Sequence, residues 1–260
     1  MFEKYVDKDL SKEIEGSVKC YKIYEIIQSD IKINSLIDQA NRVAISRMNY
    51  NDHGKVHAKI VAVNALKILR ILEAGGYNAN IINEEIGNSE DVKTAVLLGG
   101  YLHDLGMSVT RKNHDMLGLI LARPIIEKIL NIVYKNETQK SERMLPIILE
   151  SILCHLGNYQ ATSMEAKIIA TSDGTDITKG RARIPFEIGR PDIHKFSAMS
   201  IEKVKIYEGK NKPVRILIEM TDPTGIFQVE ETLLKKMRDV KFEDYIEVVV
   251  KIKGRQEIIY

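Results

Sequence analysis

A histidine and an aspartate stand side by side at His103 and Asp104, at the end of an apolar run that begins at Val96. Burying even a neutral polar side chain without a partner costs about 2–7 kcal/mol, so this pair needs compensation inside a core. A divalent cation supplies it, because imidazole binds metals and a carboxylate can bridge two of them. The pair predicts a metal site and makes the other histidines candidate ligands.

Five of the six histidines lie at or near the ends of predicted helices. They are His53, His57, His103, His114 and His155, whereas His194 lies apart and is unassigned. Asp173, at the end of a later predicted helix, adds a carboxylate. If a bundle brings these helix ends together, it supplies four imidazoles (His57, His103, His114 and His155) and two carboxylates (Asp104 and Asp173). Such a mixed set suits Mn, Fe, Zn, Ni or Co better than Ca.

Several of these residues also have structural interpretations. His114 can be a capping or surface residue, and His155 can be a cation at a helix C-terminus. His53 and His57 have the i, i+4 spacing of a zinc-binding helix. The metalloprotease interpretation of that spacing fails because Gly54 stands where the catalytic glutamate is required.

Apolar residues at helical spacing predict the elements that position these side chains. The predicted helices cover residues 17–28, 30–48, 53–73, 90–105, 113–131, 146–155 and 162–173. Pro124 predicts a kink or interruption, and Pro146 a first helical turn. After about residue 195, alternating patterns predict strands at 201–207, 214–220 and 245–252, with a helix at 228–240 between them. We predict a mainly α fold, with a helical bundle at 1–195 and a small α+β region at 196–260.

The bulk properties point to an ordinary globular protein. The chain has 260 residues, 44% of them hydrophobic, and a net charge of +2 that does not argue for nucleic acid. Cys20 and Cys154 form no CxxC pair, so no disulfide framework is expected. The N-terminus lacks the apolar core of a signal peptide and no run of about 18 apolar residues occurs, so we expect a cytoplasmic protein without a membrane partner.

The ordered set of motifs resembles the HD-domain superfamily of metal-dependent phosphohydrolases. His57 followed by Val61-Ala62 is similar to the first motif of that family, the segment around His103-Asp104 to the second, and Asp173 with Asp176 to the last. The resemblance spans roughly residues 50–180. It implies an HD-type bundle that binds one or two divalent ions (Mn, Fe, Ni, Co, Zn or Mg).

The resemblance also implies roles for individual residues. The implied metal ligands are His57, His103, Asp104 and Asp173, while His114 and His155 resemble the extra histidines of members that hold two metals. His103 and Asp104 would be catalytic, with Asp104 as the bridging carboxylate and Asp176 outside the ligand set. The implied reaction is hydrolysis of a phosphomonoester, nucleotide or phosphodiester by a metal-activated hydroxide.

Basic residues near the implied ligands are candidates for substrate binding. Lys179, Arg181 and Arg183 follow Asp173 closely and can bind phosphate, while His53 and Lys55 lie near a helix N-terminus, which attracts anions. The cluster can equally be a solvated loop. The expected partner is a small, phosphorylated, nucleotide-like substrate, whereas no basic-aromatic surface supports nucleic acid.

Two other functions remain open at this point. The same scaffold with two irons would be an oxygenase, which the extra histidines permit. A chain that keeps the fold without turnover would be a nucleotide-binding regulatory module. The apolar stripes of residues 196–260 fit a small core, a substrate lid or the interface of a homodimer.

Overall fold

Helices make up most of the chain that precedes the sheet. The computed structural model describes residues 2–181, 193–255 and 257–260. The helices are α1 (Phe2–Glu13), α2 (Val18–Ser29), α3 (Ile31–Asn41), α4 (Lys55–Ala74), α5 (Asn80–Asn83), α6 (Ser89–Leu102), α7 (His114–Val133), α8 (Thr138–Cys154), α9 (Met164–Gly174) and α10 (Ile193–Ser200). A π-helical segment, Arg42–Arg47, extends α3, and a 3₁₀ turn, Leu105–Ser108, follows α6.

Side-chain caps fix where several of these helices begin. Asn88 and Asp91 form a reciprocal capping box at the start of α6. Ser17, Asp30 and Ser163 each accept a backbone N–H of the first turn of α2, α3 and α9. Such a cap stabilises a helix by about 1 kcal/mol, so helix positions are defined locally before packing begins.

Pro124 and Pro146 both lie inside helices, so the predicted first-turn position of Pro146 is wrong and the helix around Pro124 is not interrupted. α7 runs without interruption through Pro124, and α8 begins eight residues before Pro146. Each proline leaves the carbonyl four residues earlier without its helical donor. These carbonyls belong to Ile120 and Glu142, which are exposed, so water can replace the lost hydrogen bond.

Glycines let the helices that carry the candidate ligands approach closely. A Cβ on Gly100 of α6 would lie 2.9 Å from the Cα of Ala62 in α4. A Cβ on Gly106 would lie 1.9 Å from the carbonyl oxygen of His114, at the start of α7. Because no side chain separates the backbones, the end of α6 lies directly against α4 and α7.

A four-stranded sheet occupies the C-terminal part of the chain. Its strands are β1 (Ile201–Glu208), β2 (Val214–Met220), β3 (Ile246–Ile252) and β4 (Ile258–Ile259). They lie in the order β1-β2-β3-β4; β1–β2 and β3–β4 are antiparallel, and β2–β3 is parallel, with Val214 opposite Ile246. The parallel pair requires a crossover, as parallel strands do.

That crossover is helical and will be called the crossover helix. It consists of α11 (Gly225–Gln228), a π-helical segment (Val229–Leu234) and α12 (Lys235–Asp239). One hydrophobic core includes residues of the bundle, the crossover helix and the sheet. The predicted class, mainly α with a small α+β C-terminal region, is confirmed, while the domain division at 195/196 stays a prediction. Within the described ranges, every helix is too short or too polar to cross a membrane.

Candidate metal centre

Five helix ends meet at one place in the bundle. His57 lies in the first turn of α4, His103 and Asp104 directly follow α6, and His114 opens α7. His155 directly follows α8, and Asp173 lies in the last turn of α9. All six side chains are buried. The residues that the sequence proposed as metal ligands therefore come together, although they are separated by up to 116 positions (57 to 173).

Hydrogen bonds hold the four imidazoles with their Nε2 atoms inward. The Nδ1 atoms of His103, His114 and His155 lie 2.8, 2.7 and 2.6 Å from backbone carbonyl oxygens three residues earlier in the chain. The Nδ1 of His57 lies 2.7 Å from Oδ2 of Asp176. Carbonyl and carboxylate oxygens only accept, so each Nδ1 donates its proton. In a neutral ring, Nε2 is then unprotonated and carries the lone pair that a metal ligand requires.

His57, His103, Asp104 and Asp173 form the first ligand group. The Nε2 of His57 lies 3.2 Å from the Nε2 of His103, from Oδ2 of Asp104 and from Oδ1 of Asp173. The Nε2 of His103 lies 3.2 Å from Oδ2 of Asp104. The Nε2 of His103 lies 3.8 Å from Oδ1 of Asp173, so two imidazole and two carboxylate donors lie close together around His57 and His103.

His114 and His155 form a second group with the other oxygen of Asp104. Their Nε2 atoms are 3.2 Å apart, and they lie 3.3 and 3.5 Å from Oδ1 of Asp104. Asp104 therefore contributes Oδ2 to one group and Oδ1 to the other. A carboxylate in this position has the arrangement of a bridge between two neighbouring cation sites.

The donor atoms fit a divalent cation in both chemistry and spacing. Ligands at 2.0–2.1 Å from a tetrahedral metal lie about 3.3 Å from one another, close to the separations in both groups. Moreover, with the histidine rings neutral, no residue that the structure describes donates a hydrogen bond to Oδ2 of Asp104. Lone pairs that converge on a buried, unpartnered oxygen are unfavourable without a positive charge between them. The cluster could hold a metal ion, and its imidazole-rich set suits transition metals.

The pKa values of the clustered residues also show that this place favours a positive charge. Burial and Arg181 act to lower the pKa of His57, but the carboxylates around it outweigh them and raise it to about 10. Burial would raise the pKa values of Asp104 and Asp173, yet the neighbouring histidines, and Lys236 in the case of Asp173, hold both well below the usual range. Burial lowers the pKa of His155 to about 4. The carboxylates thus favour a positive charge at the Nε2 of His57, and a proton and a divalent ion would compete for this position.

A cavity of about 730 Å³ opens onto the two groups. Its lining includes His53, Asp104, His114, Asp173 and Arg181. Burial lowers the pKa of His53 to about 3, and its Nδ1 donates to the carbonyl oxygen of Asn51 at 2.6 Å. His53 is therefore a neutral hydrogen-bond acceptor at neutral pH. A hollow of about 780 Å³ between α1 and α2 is lined by none of the candidate residues.

The other basic residues proposed for substrate binding lie in different places. Arg181 has its Nη2 3.2 Å from the Nε2 of His57 and its Nη1 3.7 Å from Oδ1 of Asp173, and its side chain is 12% exposed. Lys179 instead pairs with Glu202 at 2.9 Å on the surface, and Lys55 lies 3.7 Å from Asp38. Arg183 lies outside the described residues. Of the described basic candidates, Arg181 alone reaches the cluster.

Sequence reasoning missed the contribution of the C-terminal region. Lys236, on α12, pairs with Oδ2 of Asp173. It also lines the cavity, together with Gln228 and Thr232 of the crossover helix. The motif order ends near residue 180, so no spacing rule relates Lys236 to Asp173. Asp176, which the resemblance left outside the ligand set, holds His57 by a hydrogen bond.

Comparison with known proteins places the chain beside an archaeal relative. The sequence matches no family model, and no solved structure matches it. It is 40% identical over 236 residues to "Uncharacterized protein MJ1020" of Methanocaldococcus jannaschii, an alignment that covers 91% of this chain and 90% of the relative. At this identity and coverage, the chain belongs to the same family as MJ1020.

Proposed function

We propose that the protein is a metal-dependent phosphohydrolase of the HD type. The observation that carries the proposal is the position of Asp104, whose two oxygens face two separate pairs of histidine Nε2 atoms. The proposed ligands are His57, His103, Asp104 and Asp173 in one group and His114 and His155 in the other. A bound divalent ion would lower the pKa of a water molecule and neutralise charge on a phosphoryl group.

Arg181 supports phosphate chemistry at this site. Its pKa is raised because Asp176, Asp173 and Asp104 outweigh the effect of burial, so the guanidinium stays charged. It donates to the backbone oxygens of Asp52 and Asp176 at 3.0 and 3.1 Å, which fixes its orientation. A planar cation held in this way at a cavity wall can bind phosphoryl oxygens with little further loss of entropy.

His53 can position the reacting groups, but its basicity is too low for general base catalysis. An effective general base has a pKa near the working pH, whereas that of His53 is about 3. Its Nε2 remains a hydrogen-bond acceptor because Nδ1 donates to Asn51. We assign it to the orientation of a substrate hydroxyl or a water molecule.

The proposal is tested by phosphate release. Protein loaded separately with Mn²⁺, Fe²⁺, Co²⁺, Ni²⁺, Zn²⁺ or Mg²⁺ is incubated with phosphomonoesters, nucleotides, pyrophosphate and phosphodiesters. We expect turnover with at least one metal, and its loss in His103→Ala and Asp104→Ala. Asp91→Asn is the matched control, since Asp91 is equally buried on α6 but bonds Lys19 and Tyr134. Turnover retained in both site variants, or none with any combination, would refute the proposal.

The imidazole-rich ligand set also supports a second candidate, a di-iron oxygenase. Four histidines and two aspartates suit iron as well as the other transition metals. The two candidates differ in what they consume. Iron-loaded protein that takes up O₂ with a spectral change, and releases no phosphate from the ester panel, would favour the oxygenase.

A further inference from the structure

The crossover helix presents one polar face to the cavity. Gln228, Thr232 and Lys236 are spaced four residues apart, and all three line the cavity that contains Asp104 and Asp173. The Nε2 of Gln228 donates to Oγ1 of Thr232 at 3.0 Å, so the side chains follow one another along this face. The helix is π-helical from Val229 to Leu234, a distortion that is frequent at functional sites.

Gly174 allows this helix to lie directly behind the proposed metal ligand. A Cβ at Gly174 would lie 3.2 Å from the Cα of Leu233 and 3.5 Å from the Cδ of Lys236. Because residue 174 has no side chain, the crossover helix packs against α9 beside Asp173. The ammonium group of Lys236 thus reaches Oδ2 of Asp173, and its side chain is only 14% exposed.

Once a metal ion binds, the carboxylates of the cluster no longer balance the positive charges of Arg181 and Lys236. Asp104, Asp173 and Asp176 carry three negative charges, against the positive charges of Arg181 and Lys236. With neutral histidines the net charge is one negative. One divalent ion changes it to one positive charge, and two ions to three. Cations beside a metal ligand oppose metal binding, so their retention in a buried site calls for an anionic ligand.

Gln228 supplies a second, independent indication of a ligand at this face. It is 6% exposed, and no group in the described parts of the chain donates to its Oε1. A buried amide oxygen without a donor costs about 1–3 kcal/mol. An O–H or N–H group of a molecule in the cavity would satisfy it.

We infer that Lys236 binds a phosphoryl oxygen of the substrate, and that Gln228 accepts a hydrogen bond from the same molecule. The C-terminal α+β region is then part of the substrate site. This inference rests on the proposed phosphohydrolase function and extends it to residues that lie outside the HD-like motifs. Lys236 pairs with Asp173 in the structure, and with a cation bound beside Asp173 its ammonium group would turn to the phosphoryl group.

The test uses inorganic phosphate as the probe and the full chain saturated with Mn²⁺. Isothermal titration measures phosphate affinity and, separately, Mn²⁺ affinity for wild type, Lys236→Met, Lys236→Arg and Lys205→Met. Lys205 is the control because it also pairs with a carboxylate, Glu219 at 2.7 Å, within the sheet. We expect Lys236→Met to weaken phosphate binding about ten- to a hundredfold, the effect of losing one charged hydrogen bond. Lys236→Arg should stay within about threefold of wild type, and Lys205→Met should equal it.

A second measurement on the wild type does not depend on the folding of any variant. Inorganic phosphate should slow acetylation of Lys236 in the Mn²⁺-loaded protein, followed by mass spectrometry, while acetylation of Lys205 is unchanged. Equal phosphate affinity in wild type and Lys236→Met, or no protection of Lys236, overturns the inference. So does weaker Mn²⁺ binding with unchanged phosphate affinity, because Lys236 then only positions Asp173. The proposed function fails separately, if the wild type releases no phosphate from any ester.

Discussion

Replacing Asp176 with asparagine should weaken metal binding without removing a ligand. Oδ2 of Asp176 lies 2.7 Å from Nδ1 of His57, and both side chains are almost fully buried. Partners of this kind typically change metal affinity ten- to a hundredfold. Asparagine keeps the shape and an acceptor oxygen but loses the charge, so we expect about tenfold, or about 1.4 kcal/mol. Asp176→Ala also loses the acceptor and should approach a hundredfold, or about 2.7 kcal/mol.

The assay is titration of the apo protein with Mn²⁺, with Asp91→Asn as the control. Asp91 is a buried aspartate of α6 that pairs with Lys19 at 2.8 Å and accepts from the hydroxyl of Tyr134 at 2.8 Å. Its replacement should lower the free energy of unfolding and leave Mn²⁺ affinity unchanged. The two variants thereby separate an effect on the site from an effect on the fold.

Two results would refute the reasoning. If Asp176→Asn binds Mn²⁺ within about twofold of wild type, the hydrogen bond to His57 does not set the ligand geometry. If Asp91→Asn weakens Mn²⁺ binding as much as Asp176→Asn does, the effect belongs to overall stability. Either result would remove Asp176 from the metal centre.

Three further predictions follow from the same geometry. Metal binding should displace the proton from His57, whose pKa is about 10, so Mn²⁺ affinity should rise up to about tenfold per pH unit between pH 6 and 9. An indicator dye should report the released proton, and an Mn²⁺ affinity that does not depend on pH would contradict the prediction. Gly106→Ala places a methyl group against the His114 carbonyl and should lower the free energy of unfolding by about 3 kcal/mol in denaturant titrations. Gly180→Ala is the control and should change this free energy little, because a Cβ there would lie 3.6 Å from the Thr178 hydroxyl, its nearest contact among the described residues. Burial acts to raise the pKa of Asp91, but Lys19 and its other partners outweigh burial and lower this pKa. The stabilisation by the Asp91 carboxylate is complete above the unfolded pKa of about 3.9 and is lost as the pH falls through the folded pKa. The free energy of unfolding of Asp91→Asn should therefore fall less than that of wild type between pH 6 and 2, as acid unfolding curves would show.

The convergence of the ligand residues was predictable because each has a local signal. His57, His114 and Asp173 lie where helical periodicity begins or ends, and His103-Asp104 interrupts an apolar run. These signals depend on hydrophobic spacing and capping, which are properties of short segments. Both the helices and the polar residues at their ends could therefore be located from the sequence.

Contacts between distant segments were not predictable in the same way. Thr162 and Glu165 have the spacing of a capping box, yet Ser163 caps α9, and Glu165 accepts the backbone N–H groups of Asn80 and Ile81 at the start of α5. α1 was not among the predicted helices, although Val6, Leu10 and Ile14 stand four residues apart and are buried. α5 has only four residues, which is too short for a helical period to be recognised. A side chain's choice between a local partner and one some 85 positions away depends on packing, which one-dimensional spacing does not record.

Lys236 shows the same limit at the functional site. The ion pair between Lys236 and Asp173, 63 positions earlier, depends on a glycine at position 174, which has no side chain, and on a π-helical turn before α12. Neither feature follows from composition or hydrophobic pattern. The candidate metal ligands belong to the ends of one bundle and could be predicted together, whereas the cavity residues that we propose for substrate binding come from a second region. We therefore expect sequence motifs in this family to report the chemistry of the centre more faithfully than the identity of the substrate.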